Sequence, residues 1–411
     1  MKLNTGERWD LIDRISKETV TFGAYQHTLK DAIGELTVKP MTGIPVAIAV
    51  MYGFWSVFGS FAGFFTDGFF VRLFDVYWLP WLQEVFPGQG DWLYAIMVDA
   101  GGFESGEFVL SSNCLESFGV LTSGLFVAIG VVLPAIIIFY LMLALLEDIG
   151  YMPRLAVLLD TVLHRVGLHG YAIVPTILSL GCNVPGVTAT RILETKKQRF
   201  IMMTLLAIFI PCGAQIGIMQ DVVPGLMGWI LLYLIIGYFI FGYILNKIVP
   251  GKAPEFLIDV PPYRRPMLSN IGKKVWGRIA GFFKVAIPFV LLGCAIVGVL
   301  YQLGVIRFLG DALAPVFVGW FGVPKETAGP LIAAFLRKDL AVAQLSAITM
   351  TPYQMITAVV LVSIYFPCVA TFAMMLKEGW KELLGALAVL TVVVFTYGGL
   401  IHLIGILLGV A

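Results

Sequence analysis

Charge is scarce in this sequence of 411 residues: only 13% are Asp, Glu, Lys or Arg, about half the fraction typical of a soluble domain. The formal net charge is +1, and no basic stripe interleaved with aromatic residues is present, which excludes nucleic acid as the expected partner. Hydrophobic residues make up 59% of the chain. These proportions predict a polytopic membrane protein.

Motifs that would define an enzyme or a secreted protein are also missing. The sequence has no G-x-x-x-x-G-K-[ST] or other phosphate-binding loop, no nucleophile elbow and no zinc-protease pattern, so we predict no enzymatic activity, no catalytic residues and no permanently bound cofactor. The N-terminus lacks the apolar core of a cleaved signal peptide. Five scattered cysteines argue against a disulfide framework and are predicted to be thiols or ligands.

Seven apolar runs are long enough to cross about 30 Å of hydrocarbon, which takes about 20 helical residues. They cover residues 42–64, 119–146, 200–220, 223–248, 279–300, 354–376 and 384–409. Two further runs, at 171–190 and 328–348, are broken by proline, glycine and charge, so we predict interrupted or re-entrant helices there. The fold class predicted from these runs is an all-α polytopic membrane protein.

Lysine and arginine in the loops predict the orientation. Six of them lie in residues 1–40, six around 154–199 and six in 250–278, whereas the loop 65–118 has one basic residue beside eight acidic ones. Because basic loops stay on the cytoplasmic side, we expect a cytoplasmic N-terminus and an external acidic loop. The C-terminus is external if the run 171–190 enters the membrane and returns, and changes side if that run spans it.

An internal repeat relates the two halves of the chain. Its markers are three pairs of prolines separated by 154, 155 and 156 residues, namely Pro134 and Pro288, Pro175 and Pro330, and Pro211 and Pro367. Given the loop charges, the members of a pair run in opposite directions, which predicts an inverted repeat. Transporters of this kind hold their substrate near the midplane, where interrupted helices meet. A chance coincidence of prolines is the alternative.

Three cysteines lie at the predicted helix breaks. Cys182 lies in LSLGCNVPGVTATR, and Cys212 and Cys368 each directly follow a proline. A proline removes a backbone donor and frees the carbonyl four residues earlier at membrane depth. Thiolates, the amide oxygen of Asn183 and such carbonyls suit a borderline divalent transition metal, whereas Mg²⁺ prefers oxygen alone. We therefore predict Cys182, Asn183, Cys212 and Cys368 as metal ligands.

The remaining thiols and the imidazoles are given structural roles. Cys114 and Cys294 have no helix break beside them, so we expect them to pack as small hydrophobic groups, which is also the alternative for the other three cysteines. The four histidines show no HxxxH or HExxH spacing, and none is predicted to be a ligand.

Acidic residues complete the predicted metal-binding set. Glu147 and Asp148 end a long apolar span, and the charged run 337–339 lies inside the second interrupted helix. Ionisable residues at membrane depth are costly and usually functional, so Glu147, Asp148 and Asp339 are included as ligands. The alternative for Glu147 and Asp148 is an interfacial helix end with Arg154 as their partner.

Several ordered motifs carry a family resemblance. The runs EDIGYMPRLAVLLD, GCNVPGVTATR, PCGA, YFPCVAT and PPYRRPMLSNIGKKVWGRI resemble the membrane domain of the ferrous iron transport protein B family, with its two gate-type repeats, from about residue 27 to the C-terminus. The resemblance implies uptake of Fe²⁺, as the transported substrate, across the inner membrane of a prokaryote. It matches Cys182, Cys212 and Cys368 to cysteines proposed to line the route, and Lys338 and Asp339 to a Lys-Glu pair.

This resemblance and the runs above divide the chain into six segments. They are a cytoplasmic amphipathic segment at 1–40, the first span with the external acidic loop at 41–118, gate repeat 1 at 119–249, a cytoplasmic connector at 250–278, gate repeat 2 at 279–376 and a C-terminal span at 384–411.

Two departures from the family pattern shape the expectation. The family carries an N-terminal GTP-binding domain and a helical spacer, whereas about 40 residues precede the first span here, so we expect a split form that acts with a separate small GTPase and a small accessory protein. The Lys-Glu pair is Lys-Asp here, which leaves the identity of the divalent metal open. The alternatives are transport of an organic solute such as a nucleoside, and a non-transporting membrane sensor or assembly subunit; homo-oligomerisation also stays open.

Overall fold

The computed structural model describes residues 14–15, 18–19, 29–86, 92–98, 102–104, 107–109, 119–251, 263–335, 338–346 and 348–409. Helices joined by short turns and loops make up most of these ranges, and the strands described there form one short antiparallel pair, Gly102–Glu104 and Glu107–Val109. The all-α prediction is therefore confirmed. Two residues singled out in the sequence, Cys114 and Arg337, lie outside the described residues.

The helices of the first half, through residue 251, are defined as follows. They are α1 (Leu29–Val38), α2 (Pro40–Phe65), α3 (Leu79–Val85), α4 (Trp92–Met97), α5 (Leu133–Ile149), α6 (Tyr151–His164), α7 (Ile173–Gly181), α8 (Asn183–Ala189), α9 (Lys196–Phe209), α10 (Gly213–Val222) and α11 (Met227–Ile248). Stretches of π-helix precede α3 and α5, at Thr66–Val71, Phe74–Trp78, Val120–Gly124 and Val127–Val132. The two spans that they belong to are therefore continuous but irregular.

The second half repeats this succession of long helices and short interrupted ones. Its helices are α12 (Leu268–Gln302), α13 (Val305–Phe321), α14 (Ala328–Ala333), α15 (Lys338–Leu345), α16 (Pro352–Ile364), α17 (Val369–Glu378) and α18 (Trp380–Leu408). Thr351 caps α16, because its side chain accepts a hydrogen bond from the Gln354 backbone N–H while the Gln354 side chain bonds back to Thr351.

Six helical stretches within the described residues are long and apolar enough to cross a membrane, judged by length and composition. They are Pro40–Val85, Val120–Ile149, Lys196–Gln220, Met227–Ile248, Pro352–Glu378 and Trp380–Leu408. The seventh predicted span, 279–300, lies inside α12, a helix of 35 residues. The chain is therefore a multi-pass membrane protein.

The first span continues beyond the end predicted for it at residue 64. Helical structure extends to Val85 and folds against the start of the second span, where the Thr66 hydroxyl donates to the Gly130 carbonyl at 3.1 Å. The Trp78 indole N–H donates to the Leu121 carbonyl at 2.9 Å. The opening part of the predicted acidic loop is thus ordered helix packed on the protein.

The inverted repeat is visible in the packing of the spans that carry Pro134 and Pro288. At one end, Glu147 of α5 pairs with Lys274 of α12 at 3.2 Å. At the other, Gly124 packs so closely on α12 that a Cβ added there would lie 3.5 Å from the Cys294 sulfur. Since the end of one span meets the beginning of the other, the two spans are antiparallel, and the inverted-repeat prediction is confirmed.

Helices α7 and α8 form a hairpin, which confirms the re-entrant helix predicted at 171–190. Gly186 of α8 lies against the Ser179 side chain of α7, and a Cβ on Gly186 would also lie 3.1 Å from the Pro175 carbonyl. Hairpin helix α8 contacts α17, and α15 of the other repeat contacts α10. Each interrupted pair therefore packs on the broken helix of the opposite repeat, which brings both sets of breaks to one place.

Candidate metal pathway between the repeats

Each of the three predicted cysteines is the residue that immediately precedes a helix. Cys182 precedes α8, Cys212 precedes α10 and Cys368 precedes α17, and each has extended backbone dihedral angles. All three are half-buried. A helix N-terminus carries unpaired N–H groups and the positive end of the helix dipole. Such a position favours a thiolate and opposes a bare cation, so an ion held here needs negatively charged ligands.

The three thiols belong to one centre. A Cβ added to Gly213, the residue after Cys212, would lie 3.3 Å from the carbonyl of Gly181, the residue before Cys182. Cys182 also packs on the same apolar cluster as Ala370, two residues after Cys368. The Asn183 amide N–H donates to the Ile210 carbonyl at 3.2 Å, which fixes the hairpin tip to the break in the helix that contains Cys212. The structure therefore gathers the predicted residues of both repeats.

A backbone hydrogen bond holds the second interrupted helix in place. The backbone N–H of Val369, directly after Cys368, donates to the Phe335 carbonyl at 2.9 Å. Each break that carries a post-proline cysteine is thus tied to an interrupted helix. Asp339, the second residue of α15, is buried with 7% of its surface exposed.

Oxygen acceptors accompany the thiols. Within the described residues, the side-chain oxygens Asn183 Oδ1 and Gln215 Oε1 are buried and accept no hydrogen bond. Gln215 Nε2 donates instead to the Ser363 hydroxyl at 2.8 Å, across the repeat interface. At the position equivalent to Gln215, the hydroxyl of Thr371 lies 3.1 Å from the Cys368 sulfur. These groups can supply oxygen ligands beside sulfur.

The carbonyls freed by the two prolines are not available in the way that the sequence predicted. Lys338 Nζ donates to the Ala207 carbonyl at 3.1 Å and to the Ser363 carbonyl at 2.7 Å. These carbonyls lie four residues before Pro211 and Pro367, so they are the ones that lose their helical donor. An unpaired buried carbonyl costs about 1–3 kcal/mol, and the buried ammonium satisfies both. The expectation of free carbonyls is therefore wrong for this conformation.

The predicted ligands meet without forming a compact cage. In the part of the chain that the structure describes, no three His, Cys, Asp or Glu side chains converge closely enough to hold a metal ion. A tetrahedral site needs four donors at about 2.0–2.3 Å from the metal. The cysteines therefore lie along one pathway, and their role as ligands stays a prediction.

Glu147 and Asp148 lie at the end of α5, in ion pairs with α12. Lys274 Nζ is 3.2 Å from Glu147 and 3.0 Å from Asp148, and Arg278 is 2.9 Å from Glu147. The hydrogen bond from Lys274 to Asp148 raises the pKa of the lysine, so the ammonium stays charged. Because these acids are engaged by cations, a ligand role for them would require the pairs to open.

The partner proposed for this acidic pair was wrong. Arg154 is buried, donates to the Gly150 carbonyl at 3.0 Å, and stacks over the Tyr263 ring with its guanidinium carbon 3.6 Å from the ring centroid. It thus attaches α6 to the connector. Cys294 is buried against Gly124, which fits the packing role expected for it.

A large cavity of 930 Å³ borders the centre. It reaches Leu180, Pro211 and Gly213, next to the thiols, and extends to Asp67 and Gln220. Its walls are mainly apolar and come from α2, α7, α10 and α11. Its polar lining residues include Thr66, Asp67, Thr176 and Gln220.

Sequence reasoning missed two contacts that organise this centre. One is the bond between Gln215 and Ser363, and the other is the bridge from Lys338 to the two proline-freed carbonyls. The spacing of four residues before each proline could have identified the carbonyls. No local pattern could have identified the lysine, which lies 131 residues from Ala207 in the chain.

Antiparallel repeats, a re-entrant hairpin and helix breaks that converge at the interface are the architecture of membrane proteins built from inverted repeats. The family model Gate, described as "Nucleoside recognition", matches residues 129–223 and 283–380. The model described as "Ferrous iron transport protein B C terminus" matches residues 226–278. Together with the relatives described next, these matches confirm the resemblance to the membrane portion of the ferrous iron transport protein B family.

Relatives from distant prokaryotes share one name, "Fe(2+) transporter FeoB". The protein of Staphylococcus aureus strain MSSA476 is 27% identical over 68% of this chain and 47% of its own length. The protein of Methanocaldococcus jannaschii is 24% identical over 98% of this chain and 63% of its length. The protein of Campylobacter jejuni is 28% identical over 70% of this chain and 44% of its length. The chain thus spans about half the length of the curated relatives it matches.

No solved structure matches the chain significantly.

Proposed function

We propose that this chain is a ferrous iron permease, which carries Fe²⁺ into a prokaryotic cell across the inner membrane. The observation that supports this most directly is the meeting of Cys182, Cys212 and Cys368 at helix breaks contributed by both repeats. Sulfur with a few oxygens suits a late first-row divalent ion better than Mg²⁺. The names of the relatives agree with Fe²⁺ as the substrate.

The charges at the centre indicate how the ion is held. Three helices present their positive ends there, so neutral oxygens alone would bind a divalent cation poorly. We propose that thiolates of the cysteines and the carboxylate of Asp339 supply the compensating negative charge, with Asn183 Oδ1 as an oxygen ligand. Glu147 and Asp148, at the end assigned to the cytoplasm, would take over the ion as it leaves.

Following the family resemblance, we also propose that a separate small GTPase and a small accessory protein act with this chain. Purification of the tagged chain from its native membrane, with mass spectrometry of the proteins that remain attached, tests this part. A GTP-binding protein recovered with the chain supports it, and its absence under mild detergent conditions contradicts it.

Transport into proteoliposomes under anaerobic conditions tests the proposed substrate. We expect entry of labelled Fe²⁺ that Co²⁺ or Zn²⁺ inhibits more strongly than Mg²⁺ does. Stronger competition by Mg²⁺ would contradict the role of the thiols.

The description "Nucleoside recognition" of the matching family model favours a second candidate, transport of an organic solute. Labelled nucleoside in the same vesicles tests it, and transport of neither compound would leave the sensor alternative.

A further inference from the structure

We propose that Lys338 is a tethered cation that occupies the centre between the repeats, and that it must leave before the centre can bind the transported metal ion. The inference rests on the proposed transport of a divalent metal and identifies the residue that controls access to the site. It follows from the position of one ammonium group, its partners and the pseudo-symmetry of the chain.

The ammonium of Lys338 takes the position in which a cation would be held. Its two carbonyl partners, at 3.1 Å and 2.7 Å, come from different repeats, and each was freed by a proline. Backbone carbonyl oxygens of this kind coordinate cations in ion pathways. Lys338 has only 4% of its surface exposed and is close enough to Cys368 and Cys212 to interact with them electrostatically. It therefore lies among the groups predicted to bind the metal.

The pseudo-equivalent position of the first repeat carries no charge. Pro175 and Pro330 are 155 residues apart, and the same separation relates Asn183 to Lys338. Asn183 fixes its own repeat with a neutral amide, donated to the Ile210 carbonyl. In the first repeat an uncharged side chain makes this hydrogen bond. In the second repeat the equivalent residue, Lys338, is positively charged and binds carbonyls of both repeats.

A metal ion and the ammonium would exclude each other from this centre. A divalent cation within a few Å of an ammonium is strongly repelled in an environment screened less than water. Within the described residues, no metal-binding group of three side chains is assembled while Lys338 bridges the two broken helices. We infer that withdrawal of the lysine frees the two carbonyls and lets the thiols approach the ion.

Binding of Co²⁺ to the purified full chain, followed under anaerobic conditions by its thiolate charge-transfer absorption, tests the proposal. Lys338→Met keeps the length of the side chain but removes the competing charge. We expect this variant to bind Co²⁺ at least about tenfold more tightly than the wild type. The reason is that a positive unit charge within a few Å of the metal ion weakens its binding by at least that factor. Lys338→Arg, which keeps the charge, should not show the gain.

Two matched variants show whether tighter Co²⁺ binding arises at the centre between the repeats. Lys247→Met removes an exposed lysine that lies over the Tyr243 ring at the end of α11, and should bind Co²⁺ as the wild type does. Adding Cys368→Ser to Lys338→Met should abolish the gain. Equal or weaker binding by a folded Lys338→Met variant would overturn the proposal. Absence of Co²⁺ binding in the wild type and every variant would contradict the proposed metal transport itself.

If Lys338→Met does not fold, the wild type decides the question. An amine-reactive reagent, with the modified lysines quantified by mass spectrometry, reports the accessibility of Lys338 with and without Co²⁺. We expect added metal to increase modification of Lys338 several-fold while leaving Lys247 unchanged. Unchanged modification of Lys338 at saturating metal would overturn the proposal.

Discussion

At the scale of single residues, the position of each candidate ligand depends on the residue beside it. Pro211 and Pro367 end helices α9 and α16, and the next residue in each case is a cysteine in extended conformation. Cys182 reaches the same arrangement without a preceding proline, at the tip of a hairpin. The chain thus uses two kinds of helix break to place a thiol at a helix N-terminus.

Gly186 provides a test of that hairpin. An added Cβ would overlap the Ser179 hydroxyl and lie 3.1 Å from the Pro175 carbonyl. We expect Gly186→Ala to lower the free energy of unfolding by about 1–3 kcal/mol, as overpacking does, measured by thermal unfolding of the purified protein in detergent. The control is Gly217→Ala in α10, where an added Cβ meets nothing within 4 Å. Equal stability of Gly186→Ala and the wild type would show that the helices are not packed as described.

The sequence predicts the helix breaks beside the thiols better than it predicts the long-range hydrogen bonds and ion pairs around them. Proline and glycine act within a few residues, so the breaks at Cys182, Cys212 and Cys368 can be located from the sequence. The bridge from Lys338 joins residues that are 131 and 25 positions apart, so it depends on the tertiary packing of both repeats. For the same reason, the sequence suggested Arg154 as a partner for acids that bind Lys274 instead.

At the scale of helices, α5 and α12 are connected by charged groups at one end and by close packing at the other. Lys274 contacts both Glu147 and Asp148 and is 37% exposed, so we expect the coupling to be modest. Lys274→Met and Asp148→Asn should each lower the thermal stability only slightly, because solvent screens the pair. In a double-mutant cycle monitored by thermal unfolding, their effects should be less than additive. Strict additivity would contradict a direct pair.

Helix boundaries were predictable where apolar runs are continuous and less so elsewhere. The interrupted helices at 171–190 and 328–348 were identified from proline, glycine and charge. The extension of the first span to Val85 was missed because Asp67, Arg72 and Asp75 interrupt its apolar character. Packing against the second span stabilises this segment as helix, through aromatic contacts such as Phe74 with Phe126, whose ring centroids are 5.2 Å apart.

At the scale of the whole molecule, the antiparallel repeats constrain the sides on which segments lie. Between Ile248 and Leu408 the predicted spans lie in α12, in the broken helix α16–α17 and in α18, and the shorter helices α13, α14 and α15 lie between the first two of these spans. Three crossings place the two positions on opposite sides of the membrane. The basic connector that follows Ile248 predicts a cytoplasmic position for the first.

Reporter fusions test this arrangement. We expect green fluorescent protein fused after Ile248 to be fluorescent, and alkaline phosphatase fused after Leu408 to be active, because each reporter functions on only one side of the inner membrane. The reciprocal fusions serve as controls. Fluorescence at both positions would contradict the inverted repeat and would mean that one interrupted helix crosses the membrane completely.

The central claim is that the thiols at the helix breaks carry the metal ion, and uptake by two cysteine variants tests it most directly. Cys182→Ser keeps the size of the side chain but replaces a soft ligand by a hard one, whereas Cys294→Ser changes a thiol packed against Gly124. At matched membrane expression, we expect Cys182→Ser to reduce anaerobic Fe²⁺ uptake about tenfold or more, and Cys294→Ser to leave it nearly unchanged. Equal uptake by Cys182→Ser and the wild type would contradict the claim.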